Sequence, residues 1–326
     1  MNPIRSLGRL VFAKIRQAGF RLSDPAVVDI EITTRCNLAC CMCPRETVGT
    51  NKSLVQDMSM DAFKVILRKL PRGVKTLSLT GVGESLLNKN FVEFVALASR
   101  RFFVRVVTNG MLMSGAMSRA LLNAGLSEIV VSIDSPFQDE YEEIRRGARF
   151  GTVVENIKVA QAMIDSTFRS KTLVINMTVW EKNFQSIPGM IDLCRGLNVK
   201  RLNVIASHTN SQKKRASLIP EYRARMNQFM KHAEAQGVLL TVSGMDYRDP
   251  VQRDLCVMPW NMLYIRCDGS ARPCCIHETA EDVSLGNILS QSFFAVWNGK
   301  EMRNFRKALA SEHKPPICRC CDQLYS

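Results

Sequence analysis

Along most of the chain, short runs of β-branched and apolar residues alternate with longer stretches whose apolar positions recur every three or four residues. The runs "AVVDIEITT" from Ala26, "VKTLSLTG" from Val74, "FFVRVVTNG" from Phe102, "SEIVVSIDS" from Ser127, "KTLVINMTVW" from Lys171, "VKRLNVIAS" from Val199 and "VLLTVS" from Val238 read as strands. Between them lie "SMDAFKVILRKL", "FVEFVALASR", "MSRALLNAG", a stretch from about Gln138, "IPGMIDLCRG" and "EYRARMNQFMKHAEAQG", which read as helices. Strand followed by helix, repeated, builds a parallel sheet, and this number of units predicts a partial (β/α)6 TIM-like barrel of the α/β class. In such folds ligands collect at the carboxyl ends of the strands, so the residues just after each strand are the candidates for chemistry.

The pattern changes near Pro250. Helical periodicity returns only in "SFFAVWNGKEMRNFRKAL", "MLYIRCDGSARPCC" reads as a hairpin turning at Asp268-Gly269, and seven cysteines follow Leu255. Three segments are expected: a basic amphipathic helix over 1–24, a barrel over 25–249 and a small cysteine-rich domain over 250–326.

Composition adds limits to this picture. A chain of 326 residues, 46% hydrophobic and 23% charged, can bury a sizeable core and is not disordered. No apolar run reaches the length of about 18 residues that a membrane span needs, and the start of the chain has no secretory pattern, so a cytoplasmic protein is expected. The net charge of +14 would suit an acidic partner, but no nucleic-acid-binding motif accompanies it and no nucleic-acid partner is expected. Part of the excess is local: Arg5, Arg9, Lys14, Arg16 and Arg21 interleave with Ile4, Leu7, Leu10, Val11 and Ile15. Such a helix either docks on a membrane surface or a partner, or packs on the barrel with its basic face in water.

Twelve cysteines in a reducing compartment point to metal or redox chemistry, because disulfides rarely persist there. Four of them fall in "ITTRCNLACCMCPRE", directly after the first strand. Cys36, Cys40 and Cys43 have the spacing C-x3-C-x2-C, three thiolates on one loop that can wrap a small inorganic cluster. An iron-sulfur cubane ordinarily takes four cysteines, so three leave one iron open for another ligand. A structural zinc knuckle places two compact pairs some distance apart and fits this loop poorly. Cys41, between two of the proposed ligands, is left unassigned.

These residues resemble the radical S-adenosylmethionine superfamily, in which the open iron is chelated by the amino and carboxylate groups of the methionine moiety. The resemblance implies a 4Fe-4S cluster on Cys36, Cys40 and Cys43, reductive cleavage of S-adenosylmethionine to a 5'-deoxyadenosyl radical, and a flavodoxin- or ferredoxin-type electron donor. Met42 stands where many members carry an aromatic residue near the adenine. "LTGVGESLL" resembles the family's glycine-glycine-glutamate motif, with Gly83 and Glu84 in register and Val82 replacing one glycine. A carboxylate there would accept from the methionine ammonium. Ser132 and Asp134 of "SID" are candidates for the ribose hydroxyls. Arg145 matches a family arginine that holds the cofactor's carboxylate, for which its planar fork is suited. Asp134 capping a turn and Arg145 on a solvated helix face are the plainer alternatives.

The end of the chain resembles the SPASM auxiliary-cluster domain. Cys256, Gly269 and Cys274 are followed by Cys318 and Cys321, so the resemblance implies four thiolates for a second 4Fe-4S cluster. With no cysteine after Cys321, the shorter Twitch-type version is expected. Structural zinc on the same four residues has the same spacing. Cys275 and Cys320 adjoin proposed ligands, Cys194 reads as a buried helix residue, and Cys267 has no assigned role.

The expected enzyme abstracts a hydrogen atom from an organic substrate. A small polar metabolite such as a sugar or aminocyclitol leads, because the Cys-x17-Cys and Cys-x2-Cys spacing resembles aminocyclitol dehydrogenases. Peptide modification or epimerisation is the alternative; against it, only about 25 residues precede the first strand, too few for a leader-recognition domain. A non-catalytic metal or nucleic-acid binding protein is the third reading.

Overall fold

The computed structural model describes residues 23–43, 45, 56–180, 182–206, 212–243, 256, 258–274, 283–311 and 313–319. The basic segment 1–22, the expected domain boundary near Pro250, Cys275, Cys320 and Cys321 lie outside these residues.

The seven apolar runs are strands: β1 (Val27–Ile30), β2 (Thr76–Leu79), β3 (Phe103–Thr108), β4 (Glu128–Ser132), β5 (Thr172–Val179), β6 (Arg201–Ala206) and β7 (Leu239–Ser243). Each pairs in parallel with the next, and helices fill the connections. The chain thus forms the expected α/β partial barrel. Alternation along the strands sorts the residues. Val28, Ile30 and Ile32 of β1 and its extension, like Leu77, Val104, Val106, Ile175 and Val204, are fully buried in one core with Phe63, Phe94, Ile157 and Ile191 from the helices. The other face carries the polar residues Asp29, Glu31, Thr33, Ser78, Arg105, Ser132, Asp134, Asn176 and Asn203.

The sheet continues beyond the seven units. β8 (Met262–Ile265) pairs in parallel with β1, from Val27 opposite Met262 to Ile30 opposite Ile265, and β9 (Ala271–Arg272) pairs antiparallel with β8. The strand order is β7-β6-β5-β4-β3-β2-β1-β8-β9, so the cysteine-rich segment contributes its hairpin to the barrel's own sheet. Gly269 turns that hairpin at φ +80, in the left-handed region that favours glycine. Further ties hold the segment in place. Lys69 Nζ donates to the carbonyls of Ile288, Leu289 and Gln291 at 2.7, 2.8 and 2.9 Å, and Trp297 Nε1 donates to Ser23 O at 2.9 Å. The single helical run expected here breaks at Asn298-Gly299 into Phe293–Trp297 and Lys300–Leu309. Arg306, fully buried 4.2 Å from the Trp297 ring centroid, donates to Trp297 O across that break and to Pro259 O.

Candidate active site

The cysteine loop follows β1 at the carboxyl edge of the sheet. Its backbone is docked onto the end of the helix Gln138–Ile144: Cys41 N donates to Ile144 O at 2.9 Å and Ala39 N to Arg146 O at 3.0 Å. Buried Leu38 and Cys40 anchor it, Cys36 and Cys43 are half-buried, and Cys41 is exposed. Arg35 fixes the loop's start through a two-pronged contact with Asp57, at 3.0 and 2.6 Å, and a bond to Leu87 O. Burial pushes the Cys36 thiol up and the Cys40 thiol up to about 12, with Arg145 opposing the Cys40 shift and Cys43 and Cys36 adding to it. These thiols would ionise on binding a cation, as metal-bound thiols do. Among the described residues no three His, Cys, Asp or Glu side chains converge on one metal-ion position. Each thiolate of a cubane binds a different iron, so its ligands stand further apart than those of a single ion, and the donor set suits a cluster.

The glycine turn lies against this loop. A Cβ on Gly83 would sit 2.3 Å from Thr33 O and 2.4 Å from Arg35 O, so only glycine permits the approach. Glu84 N donates to Arg35 O at 2.7 Å. The Glu84 carboxylate, 3% exposed, accepts from Leu86 N at 3.2 Å, Thr108 Oγ1 at 2.8 Å and Asn109 N at 2.7 Å. Burial pushes its carboxyl up, and the bonds from Asn109, Thr108 and Leu86 oppose the shift. Asn109 Nδ2 donates in turn to Asn37 Oδ1 at 2.8 Å, so the ends of β1, β2 and β3 are tied through Glu84 and one asparagine pair. The sequence placed Thr108 and Asn109 only at the end of a strand run, and nothing in it marked Asn37.

Asp134 and Arg145 form a buried ion pair, Arg145 Nε donating to Asp134 Oδ2 at 2.7 Å. Asp134 is fully buried, and its other oxygen accepts from Thr178 N at 2.7 Å. Both carboxylate oxygens are therefore engaged within the protein, which makes Asp134 the anchor of Arg145. Arg145 is 8% exposed and sits on no solvated helix face. It caps the helix Gln138–Ile144, close enough to Cys40 and Glu84 for its charge to act on both. Asp134 holds the Nε edge of the guanidinium, and the remaining donors are on its other edges. Ser132, half-buried at the end of β4, is in register with Asn176, which accepts from Asn203 Nδ2 at 2.9 Å.

The C-terminal cysteines have different surroundings. Cys256 and Cys318, both 8% exposed, pack in one cluster with Phe305 and Leu309, flanked by Met258, Trp260 and Val283. Cys274, 7% exposed, follows β9 and is level with the start of β8. Because β8 runs parallel to β1, Cys274 stands towards the opposite end of the sheet from the Cys36 loop. Cys267, in the hairpin turn, approaches Glu31 O with its Sγ at 3.4 Å. Cys194 is a core residue of the helix Ile187–Gly196, its thiol pushed up to about 12 by burial.

A family model described as the radical SAM superfamily matches residues 30–212, more than half of the chain. The chain belongs to the radical SAM superfamily. A second model, the SPASM iron-sulfur cluster-binding domain, matches residues 256–322. This radical SAM enzyme is 25% identical to the PqqA peptide cyclase of Rhizobium meliloti over 93% of the chain and 81% of that protein. It is 24% identical to the sporulation killing factor maturation protein SkfB of Bacillus subtilis, over 82% of the chain and 63% of that protein's length. Among solved structures it resembles Streptococcus suis SuiB bound to S-adenosylmethionine, with a TM-score of 0.72 at 16% identity over 99% of the chain and 75% of the other. BtrN in complex with AdoMet and 2-DOIA matches at a TM-score of 0.53 and 17% identity, over 90% of both chains. S-adenosylmethionine and a 4Fe-4S cluster are the cofactors of the radical SAM domain, and the C-terminal domain adds iron-sulfur chemistry. No helix among the described residues is long and apolar enough to cross a membrane.

Proposed function

We propose that this radical SAM enzyme modifies a peptide, with Cys36, Cys40 and Cys43 holding the cluster that engages S-adenosylmethionine. When bound, that cluster would supply the electron for reductive cleavage of S-adenosylmethionine, the chemistry that makes hydrogen abstraction from a substrate possible. The chain's own residues bind and orient. Arg145, gripped at Nε by Asp134, presents its remaining donors to the methionine carboxylate. Gly83 allows the turn to close on the cysteine loop, and the Glu84 carboxylate supplies negative charge for the methionine ammonium. Ser132 meets the ribose. Cys256, Cys274, Cys318 and Cys321 would hold one auxiliary 4Fe-4S cluster, a group that would supply electron-accepting capacity.

The observation that carries the peptide reading is the match over 93% of the chain to a PqqA peptide cyclase. SkfB, a maturation protein, and SuiB bound to precursor peptide SuiA point the same way. This shifts the weight from the sugar or aminocyclitol expected from cysteine spacing. The test is co-expression with each short reading frame beside the gene, followed by mass spectrometry of the peptides. Loss of a hydrogen pair, or solvent deuterium on a carbon, in one peptide supports the reading. Unaltered peptides together with oxidation of a cyclitol or sugar by the purified enzyme would overturn it.

A further inference from the structure

The side chain of Glu31 is 1% exposed and lies on the polar face of the sheet, between the turn that follows β2 and the hairpin that follows β8. Its Oε1 accepts from Tyr264 Oη at 3.2 Å and from Val82 N at 3.4 Å, and its Oε2 accepts from Cys267 N at 3.2 Å. Arg266 Nε stands 3.9 Å from Oε2. A Cβ on Gly81 would fall 2.5 Å from Glu31 Cγ, so the glutamate fills the space that glycine leaves open. One carboxylate thus joins the radical SAM glycine turn, Gly81 to Gly83, to two residues of the C-terminal segment. A buried carboxylate is tolerated only when it is hydrogen-bonded or paired, so these contacts stand or fall together.

We infer that Glu31 is a positioning residue through which the C-terminal hairpin sets the glycine turn that receives S-adenosylmethionine. The inference rests on the reading of Gly83 and Glu84 as the methionine cradle. It makes the C-terminal segment part of the cofactor site as well as a holder of its own cluster.

Glu31→Gln is the direct probe, because it keeps the volume and replaces one acceptor oxygen with a donor. Whichever way the amide turns, the backbone N–H of Val82 or of Cys267 then faces an NH2 group. The expected result, in protein with full iron content, is faster hydrogen exchange at both the 81–84 turn and the 264–269 hairpin. The S-adenosylmethionine concentration giving half-maximal 5'-deoxyadenosine formation without substrate should rise about ten-fold, the loss of a bond to a charged group, while the maximal rate is kept. The change that S-adenosylmethionine causes in the EPR spectrum of the reduced cluster should need the same higher concentration. Tyr264→Phe removes one neutral donor and should shift the same quantities about three-fold, which keeps the test open if the glutamine variant fails to assemble its cluster. Exchange confined to the hairpin, or unchanged half-saturation in either iron-replete variant, overturns the inference. Failure of the wild-type protein to form any 5'-deoxyadenosine would instead overturn the reading of the cradle, and the inference with it.

Discussion

The two cysteine sets occupy opposite kinds of surroundings. The Cys36 loop is held by polar ties, Arg35 to Asp57, Asn37 to Asn109 and two backbone bonds to residues 144 and 146, with three of its four thiols at least partly open to solvent. Cys256, Cys274 and Cys318 are 7–8% exposed, and Cys256 and Cys318 pack against Phe305 and Leu309. The first arrangement suits a small molecule that must enter and leave at every turnover, because polar loops leave an accessible face. The second suits a group bound once and kept. The proposed function gives radical formation to the Cys36 end of the sheet and control of the radical's fate to the C-terminal cysteines.

The strongest way to break this comparison is to empty one end. Replacing Cys36, Cys40 and Cys43 together by alanine should abolish 5'-deoxyadenosine formation and lower iron from about eight to about four per chain, as two cubanes require. Intact protein that never exceeds about four irons after anaerobic reconstitution would contradict the two-cluster account.

Asp134→Ala should come next in size. It leaves the Arg145 charge buried without its partner, a loss of about 3–5 kcal/mol in stability. Denaturant unfolding measures it, and weaker S-adenosylmethionine binding should accompany it.

The smallest expected effect concerns the far end of the polar face. Burial raises the Asp29 carboxyl from 3.8 to about 6, against the opposing charge of Arg105. The native state then holds a proton that the unfolded chain has lost, so this group's contribution to stability falls as pH rises from about 4 through about 6. A shift of this size is worth about 3 kcal/mol, of which about 1 kcal/mol falls above pH 5.5. Asp29→Asn should therefore narrow the difference in unfolding free energy between pH 5.5 and 7.5. An unchanged difference would mean that Asp29 is ionised throughout.

The barrel was legible in the chain because each strand is a short β-branched run and each connection a helix, signals contained within a dozen residues. The cysteine loop was legible for the same reason. The pairing of β8 with β1 joins residues more than 230 positions apart, and nothing local in "MLYI" names its neighbour. Asp134 shows the same limit: "SID" marks a strand end, and nothing local names Arg145 and Thr178, which reach its oxygens from separate elements. "DIEIT" displayed the alternation that puts Asp29 and Glu31 on one face, yet the task of Glu31 follows only from partners at positions 82, 264 and 267.

The division of labour between the two ends is tested most directly by the Cys318→Ala, Cys321→Ala double variant, first shown to be soluble and to retain about four irons. Reductive 5'-deoxyadenosine formation and product yield are measured on the same sample. The account predicts that 5'-deoxyadenosine still forms while the modified product is lost. Normal product yield from that variant would contradict it and leave the C-terminal site a scaffold only.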